Sequence, residues 1–262
     1  MNDLMKQLEC PACNKYMVPP IFLCEKGHNI CSDCRPRLQG CTICQYQFID
    51  SRNVDLENLA RNMHYPCVYN DLGCFEMLPI EHISRHQVMC PHRPYICPLA
   101  QIPKVQCPWE GPRTDVQGHV KEIHDQYIDK TVVKNVGKVQ LSDIDKDFTY
   151  SRVVISMGHV FLYHLEVENG EFHFAMLLVG PKELASGFHY EIKICTENEM
   201  ILMRNVVCSN EEEIDAIFSS GKCPSLHLKA IKNFVTENKE LYFEVKIVVA
   251  DKSKDRICCS VM

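Results

Sequence analysis

Three things are missing from this 262-residue chain, and each absence narrows what it does. No apolar run approaches the roughly 18 residues that a membrane-crossing helix needs, so no membrane span is expected. No basic block is present: 28 Lys and Arg stand against 34 Asp and Glu, for a net charge of -6. Sequence-independent nucleic-acid binding draws its affinity from Lys and Arg that neutralise phosphates, so nucleic acid is not expected as a partner. The opening residues, MNDLMKQLECPAC, lack a charged segment followed by an apolar core. A secretory signal is therefore not expected, and the chain is assigned to a reducing compartment, the cytoplasm and also the nucleus, where disulfides do not persist. Tryptophan is nearly absent as well, with Trp109 the single example.

Cysteine, by contrast, is abundant. Of 17 cysteines, 12 fall in the first 107 residues, and only Cys195, Cys208, Cys223, Cys258 and Cys259 follow. In a reducing compartment such a density needs a reason other than disulfides, and metal binding supplies one. The last five are read as small core or surface residues. The chain thus divides near residue 130 into a Cys/His-rich half and a half that can build an ordinary core.

The first cluster reads Cys10-x2-Cys13-x10-Cys24-x3-His28-x2-Cys31-x2-Cys34-x6-Cys41-x2-Cys44. Seven cysteines and one histidine make eight ligands, which completes two tetrahedral sites. Thiolate and imidazole suit Zn²⁺, and a site closed by four protein ligands is structural. Close pairs are needed because a knuckle turn lets two sulfurs a few residues apart reach one metal. Two alternatives are weaker. Redox pairs would not need so ordered a set, and a nucleophilic Cys24 with His28 as its base would need an open position. The order resembles a RING finger of the C3HC4 kind. That resemblance implies a cross-brace, with Cys10, Cys13, Cys31 and Cys34 on one zinc and Cys24, His28, Cys41 and Cys44 on the other, enclosing a short helix. A domain so small has too little core to fold without its metals.

Next, RNVDLENLARNMHYPC reads as a short amphipathic helix that Asn53 caps, with Val54, Leu56, Leu59 and Ala60 mostly on one side. Two similar patterns follow: Cys67-x6-Cys74-x11-His86-x3-Cys90 and Cys97-x9-Cys107-x11-His119-x4-His124. In each, a Cys pair on a hairpin meets a pair spaced along a helix, where residues about four apart share a face. Twelve cysteines and four histidines therefore predict four Zn²⁺ per chain. His82 competes with His86 for its place, but the repeated x11 interval favours His86. His64 and His92 fall outside the pattern. The Cys spacings are longer than those of DNA-reading fingers, and RTDVQGHVKEIH mixes charges, so a packing role is favoured over base reading.

Taken in series, RING, finger, finger, the chain resembles the seven in absentia family of RING-type E3 ubiquitin ligases. The stretches that carry the likeness are PPIFLCEKGHNICSDCRPRL, GCFEMLPIEHISRHQVMCPHRPYICP and CPWEGPRTDVQGHVKEIH. It is specific from about residue 8 to residue 124 and weaker beyond.

Beyond residue 130 alternation takes over. HVFLYHLEVE, EFHFAMLLV, FHYEIKIC, MILMRNVVC and ELYFEVKIVVA have strong strand propensity, most with period two. Asn169-Gly170 is a hairpin signal. Short, regular spacing argues for an antiparallel sandwich rather than βαβ units. NEEEIDAIFSSG and LKAIKNFVTEN read as short inserted helices. The expected fold is a set of small zinc-stabilised α+β modules followed by an antiparallel β-sandwich, TRAF-like by the family resemblance. The boundaries are 1–50 for the RING, 51–66 for a helical linker, 67–128 for the two fingers and 129–262 for the sandwich.

The resemblance implies a division of labour. A RING ligase holds a ubiquitin-charged E2 enzyme and favours its reactive arrangement, which is catalysis by positioning with no covalent enzyme intermediate. The E2-docking positions would be Ala12, Leu38, Thr42, Ile43 and Gln45, the last where many RINGs carry an Arg that bridges E2 and ubiquitin. The sandwich would form a homodimer and take substrates or adaptors with extended peptide motifs, along segments 130–138 and 150–155, with Arg152 where the family has a groove tryptophan. Here the sequence departs from pattern. Ala12 is small, Thr42 replaces a common proline, and Gln45 lacks the charge and fork of Arg. A non-catalytic adaptor that dimerises and competes for partners is the alternative.

Overall fold

The computed structural model describes residues 2–102, 105–129, 136–140 and 147–250. By internal contacts the chain divides into two units, Met1–Cys90 and Pro91–Met262, so the division falls between the two fingers.

The first unit begins with helix α1 (Asn2–Gln7) and a three-stranded sheet of β1 (Ile21–Cys24), β2 (Asn29–Cys31) and β3 (Phe48–Arg52), in the order β2-β1-β3. Helix α2 (Val54–Asn62) follows, and the Asn53 side chain accepts from the Leu56 N–H at 3.0 Å. Leu56 and Ala60 are buried, whereas Val54 stands on the exposed side. Helix α2 is more than a linker. Its buried Glu57 accepts from the Ile21 N–H at 2.9 Å and from Arg52 through both oxygens, so it ties α2 to β1. The Arg52 hydrogen bonds, against the cost of burial, hold its carboxyl below the usual range. Strands β4 (His64–Pro66) and β5 (Met77–Pro79) make a hairpin, and α3 (Ile80–Met89) closes the finger. One core joins Leu8, Met17, Ile21 and Ile30 of the RING to Ala60, Tyr65 and Ile83. The helix expected between the zinc loops is only a 3-10 turn, Arg35–Arg37, which follows Cys34 and ends at Leu38, where the backbone is already extended.

The second unit opens with the hairpin of β6 (Pro94–Ile96) and β7 (Glu110–Pro112) and helix α4 (Val116–Ile123). The sandwich follows with β8 (Val136–Gln140), β9 (Phe148–Ser156), β10 (His159–Glu168), β11 (Glu171–Leu178), α5 (Lys182–Ala185), β12 (Phe188–Cys195), β13 (Met200–Val206), β14 (Cys208–Ser209), α6 (Ile214–Ser219), β15 (Ser225–His227), α7 (Leu228–Ile231) and β16 (Glu240–Val249). One sheet runs β14-β11-β10-β9, with β15 also on β11; the other runs β13-β12-β16-β8. Among the described residues the pairings between these strands are antiparallel except the two-residue β11–β14 contact, where Leu177 faces Cys208. Asn169 and Gly170 have φ of 52° and 82°, and Glu168 pairs with Glu171, the primed two-residue turn that the sequence called for. Met157-Gly158 repeats this geometry between β9 and β10 without the usual turn residue at its first position.

The two sheets differ in burial. β12 alternates strictly and β13 keeps every other residue exposed, as expected where one face meets water. β10 and β11 are buried almost continuously. Phe161, Tyr163, Phe174 and Met176 face the second sheet, while Leu162, Ala175 and Leu177 pack with Leu99, Ile102 and Val120 of the second finger. That sheet is sandwiched on both sides, so its strands read as unbroken apolar runs.

Candidate metal centres and docking surfaces

Four tetrads come together from the residues upward. The first knuckle places Asn14 four residues after Cys10 at φ 55°, with its N–H on the Cys10 carbonyl at 2.8 Å. The knuckle at Cys41 repeats it: Gln45, also four residues on, has φ 64°, and its N–H reaches the Cys41 carbonyl at 2.8 Å. Gly40 is required there, because a Cβ would sit 2.9 Å from the Gln45 carbonyl oxygen. The Ile43 N–H points at Cys41 Sγ, 3.4 Å away, and the His28 N–H at Cys24 Sγ, 3.3 Å away. In the fingers each hairpin brings two cysteines together, Cys67 with Cys74 and Cys97 with Cys107. The helix adds one ligand inside and one at its C-terminal end, His86 and Cys90 on α3, His119 and His124 on α4.

The groups are Cys10, Cys13, Cys31 and Cys34; Cys24, His28, Cys41 and Cys44; Cys67, Cys74, His86 and Cys90; and Cys97, Cys107, His119 and His124. Within each, the ligand atoms lie within 4.8 Å of one another. Zinc bound at about 2.3 Å to sulfur and about 2.0 Å to nitrogen sets tetrahedral edges of roughly 3.8 Å between sulfurs and roughly 3.5 Å between sulfur and nitrogen. Cys24 to Cys44 is 3.7 Å and Cys67 to Cys90 is 3.8 Å. Cys24 to His28 Nδ1, Cys97 to His124 Nε2 and Cys107 to His119 Nε2 are each 3.5 Å. Cys74 to His86 Nε2 is 3.3 Å, and no such distance selects His82. Each group could hold one zinc ion, and the first two interleave along the chain.

The electrostatics agree. Burial pushes the Cys67 thiol up to about 12 and the Cys97 thiol up to about 11. Thiols so placed give up their protons only to a cation, so binding releases protons. Burial also lowers the pKa of His119 and His124, which favours the neutral imidazole that ligates metal. Trp109 stacks on His119 with centroids 4.4 Å apart and planes at 7°, fixing the ring. Gly111 leaves room for that indole, since a Cβ would come 2.6 Å from it.

Around the metal sites, the residues singled out for E2 docking divide by exposure. Ala12, Thr42 and Gln45 are exposed, and Ile43 is an apolar side chain 57% exposed between two ligands. Leu38 is half-buried and lines an open recess of about 460 Å³ with Phe22, Arg35 and Phe48. Sequence reasoning missed that recess, since nothing in the spacing of the ligands marks Phe22 or Phe48. In the sandwich, residues 130–135 of the expected groove lie outside the described residues. Residues 150–155 fall on β9, at the edge of its sheet among the described residues. Its inner end is met by Ile128–Asp129, with the Asp129 N–H on the Val153 carbonyl at 2.8 Å. Arg152 lies over the Tyr150 ring at 4.2 Å and donates to the Ser151 carbonyl at 2.8 Å.

Comparison with known proteins agrees with this architecture. The Sina RING finger family model matches residues 10–44, the Sina zinc finger model residues 58–136 and the Sina TRAF-like domain model residues 155–246. The chain is 28% identical to the E3 ubiquitin-protein ligase siah-1 of Caenorhabditis briggsae, over 97% of its own length and 59% of that protein's. It is 31% identical to a probable E3 ubiquitin-protein ligase sinah of Drosophila melanogaster, over 76% of its length and 57% of the relative's. It is 28% identical to the sina ligase of the same fly, over 84% and 71% respectively. The chain thus spans under two thirds of the first two relatives. Three domain matches in the family's order, resting on four tetrads of zinc geometry, make this chain a member of the seven in absentia family.

Proposed function

We propose that the protein is a RING-type E3 ubiquitin ligase that positions an E2–ubiquitin conjugate and presents substrates for ubiquitination and proteasomal degradation. The observation that carries the reading is Ile43, an apolar residue 57% exposed on a knuckle whose flanking cysteines belong to one tetrad. A rigid knuckle that offers an apolar side chain to solvent suits a docking contact, since ordering costs nothing further on binding. Zinc, when bound, supplies structure and no reaction step. The sixteen Cys and His residues hold it, while Ala12, Leu38, Thr42 and Ile43 take the E2, and Gln45 reaches toward ubiquitin as a neutral hydrogen-bond donor.

In this reading residues 1–50 dock the E2, 51–66 and 67–128 space the modules, and 129–262 bind substrate or adaptor. Recognition adds an extended peptide to the part of the β9 edge that Ile128–Asp129, paired at Val153, leaves open, through main-chain hydrogen bonds and side-chain pockets. Arg152, held over Tyr150, puts a cation there, so acidic or polar peptides are favoured over apolar ones. The sandwich also forms the homodimer. No helix among the described residues is long and apolar enough to cross a membrane. Thiolate ligation suits the reducing cytoplasm and nucleus.

The test is autoubiquitination of the zinc-loaded chain with E1, ATP and a panel of E2 enzymes. Ubiquitin chains that vanish with Ile43→Ala support the reading. Silence across the panel with zinc fully bound overturns it in favour of the adaptor, for which the small Ala12 and uncharged Gln45 are the supporting features.

A further inference from the structure

The first finger turns an apolar face to solvent that its zinc site does not use. Its hairpin continues from β4 and β5 into the knuckle. Pro66 lies opposite Met77, the Cys67 N–H is on the Glu76 carbonyl at 3.1 Å, and the Cys74 N–H is on the Tyr69 carbonyl at 3.1 Å. The same register sets Val68 opposite Phe75. Alternation then sends Cys67, Tyr69 and Cys74 to the zinc side and Val68, Phe75 and Met77 to the other. Val68 is 65% exposed and Met77 42%, while Phe75, at 83%, is the most exposed large apolar side chain among the described residues. Opposed side chains in such a pair stand about 5 Å apart, so these three form one patch rather than scattered points.

The fold does not need them. The core of the unit takes Tyr65, Cys67 and Cys74 from this hairpin and packs Tyr69 and Leu78 against them, but it includes none of the three. The patch is also held in place, since Cys67, Cys74, His86 and Cys90 form one tetrad, so little order remains to be lost on binding. Its surroundings are acidic. Between Arg61 and Arg85 the chain has no Lys or Arg, and Asp71, Glu76 and Glu81 are all exposed. A matching partner therefore presents an apolar face edged with basic side chains. Tyr65 of β4 packs on Tyr16, with centroids 4.9 Å apart, just beyond the knuckle that carries Ala12. The finger is thus joined to the RING beside the Cys10 tetrad. Gln45, proposed to reach the ubiquitin on the E2, stands at the other tetrad.

We propose that this patch binds ubiquitin, as a second molecule distinct from the one carried by the E2, and holds a ubiquitin already on the substrate while the chain is extended. Ubiquitin has an apolar face of the required kind, rimmed by arginine, lysine and histidine. The choice of ubiquitin rests on the ligase reading above; the binding itself needs neither E2 nor transfer.

The experiment is an NMR titration of isotope-labelled ubiquitin with the zinc-loaded full chain, wild type and Phe75→Ser. Saturable shifts confined to the apolar face of ubiquitin are expected, weakened roughly tenfold in Phe75→Ser, as loss of a buried phenyl ring requires. Phe75→Ser should melt like the wild type, because the ring belongs to no core, and Val68→Ser should weaken binding less. In autoubiquitination, Phe75→Ser should shorten the chains while attachment of the first ubiquitin continues. Absent shifts at millimolar concentration, or shifts that Phe75→Ser leaves unchanged, overturn the proposal. So does self-association that Phe75→Ser abolishes in sedimentation without ubiquitin binding, which assigns the patch to a second copy. Amide shifts between residues 91 and 250 on Phe75→Ser, again without ubiquitin binding, assign it to the second unit and overturn the proposal too. A chain silent with every E2 that still binds ubiquitin upholds the site and overturns only the ligase reading.

Discussion

The two units obtain their stability by different means. In Met1–Cys90 the longest strand has five residues, and cysteines of the tetrads, Cys10, Cys31, Cys67, Cys74 and Cys90, are members of the apolar core. In Pro91–Met262 the strands reach ten residues, and the core between the sheets contains no metal ligand. Metal is therefore part of the core of the first unit and an attachment at one face of the second. The second finger meets the sheet on its outer face: Cys97 lies in that outer cluster with Leu99, Ile102 and Val105, and not in the core between the sheets.

The largest expected effect follows directly. Stripping zinc with a chelator should unfold the first unit completely, because structural zinc sites contribute on the order of 10 kcal/mol or more to such modules. Hydrogen exchange should show protection lost throughout β1, α2 and α3 but retained in β10 and β12, with α4 losing it locally. Equal loss in β10 and α2 would mean that the sandwich also depends on metal and would dissolve the contrast between the units.

Much of this contrast could be read in the sequence, and the parts that could not have physical causes. The ligands were legible because tetrahedral zinc demands both residue type and spacing; even His86 was separable from His82 by its interval. In the second sheet β12, β13 and β16 were legible because one face meets water. β10 and β11 were harder, since burial on both faces erases period two. The insert between Cys97 and Cys107, three residues longer than its counterpart in the first finger, gave no sign that it supplies core residues to a sheet some 60 residues on. β9 was visible only as part of a groove, and the RING helix shrank to a 3-10 turn because the backbone is already extended at Leu38. Glu57 was invisible: in sequence it is one more charge on a helix, and only the fold puts it beneath the Ile21 N–H.

The second effect sharpens the comparison by acid. His164 is buried in the second unit, hydrogen-bonded with Ser151 at 2.6 Å and stacked on Phe218, and burial lowers its pKa to about 4. Because the folded value lies below that of a free histidine, the unfolded chain takes up the proton first as pH falls. Stability is complete above the free value near 6.5 and is lost toward 4, by up to about 3 kcal/mol. Denaturant melts followed at sandwich signals should show that slope, and His164→Gln should flatten it. A slope that His164→Gln leaves unchanged would place the acid sensitivity in the zinc ligands of the second finger instead.

A smaller effect belongs to the first unit. Glu57→Ala removes the acceptor of a buried N–H and should cost about 2 kcal/mol, with a faster loss of zinc from the RING. Glu57→Gln keeps an acceptor oxygen and should cost less, whereas equal costs would assign the effect to the Arg52 pair. Arg52 is half exposed, so that pair contributes less than its bidentate geometry suggests. Melting of the second unit should not change in either variant.

The smallest effect tests function rather than folding. Gln45 sits at φ 64° on an exposed knuckle, a conformation that Arg tolerates as well as Gln does, so Gln45→Arg should leave zinc content and melting unchanged. It restores a charge and a fork of donors at the position proposed to face both E2 and ubiquitin. If that contact limits the reactive arrangement, ubiquitin discharge from the E2 should rise about threefold, less than 1 kcal/mol in barrier. Discharge that falls, while E2 affinity measured separately stays the same, would mean that the neutral amide is the better partner here. The rate-limiting contact would then lie elsewhere on the proposed docking face, at Ala12 or Thr42.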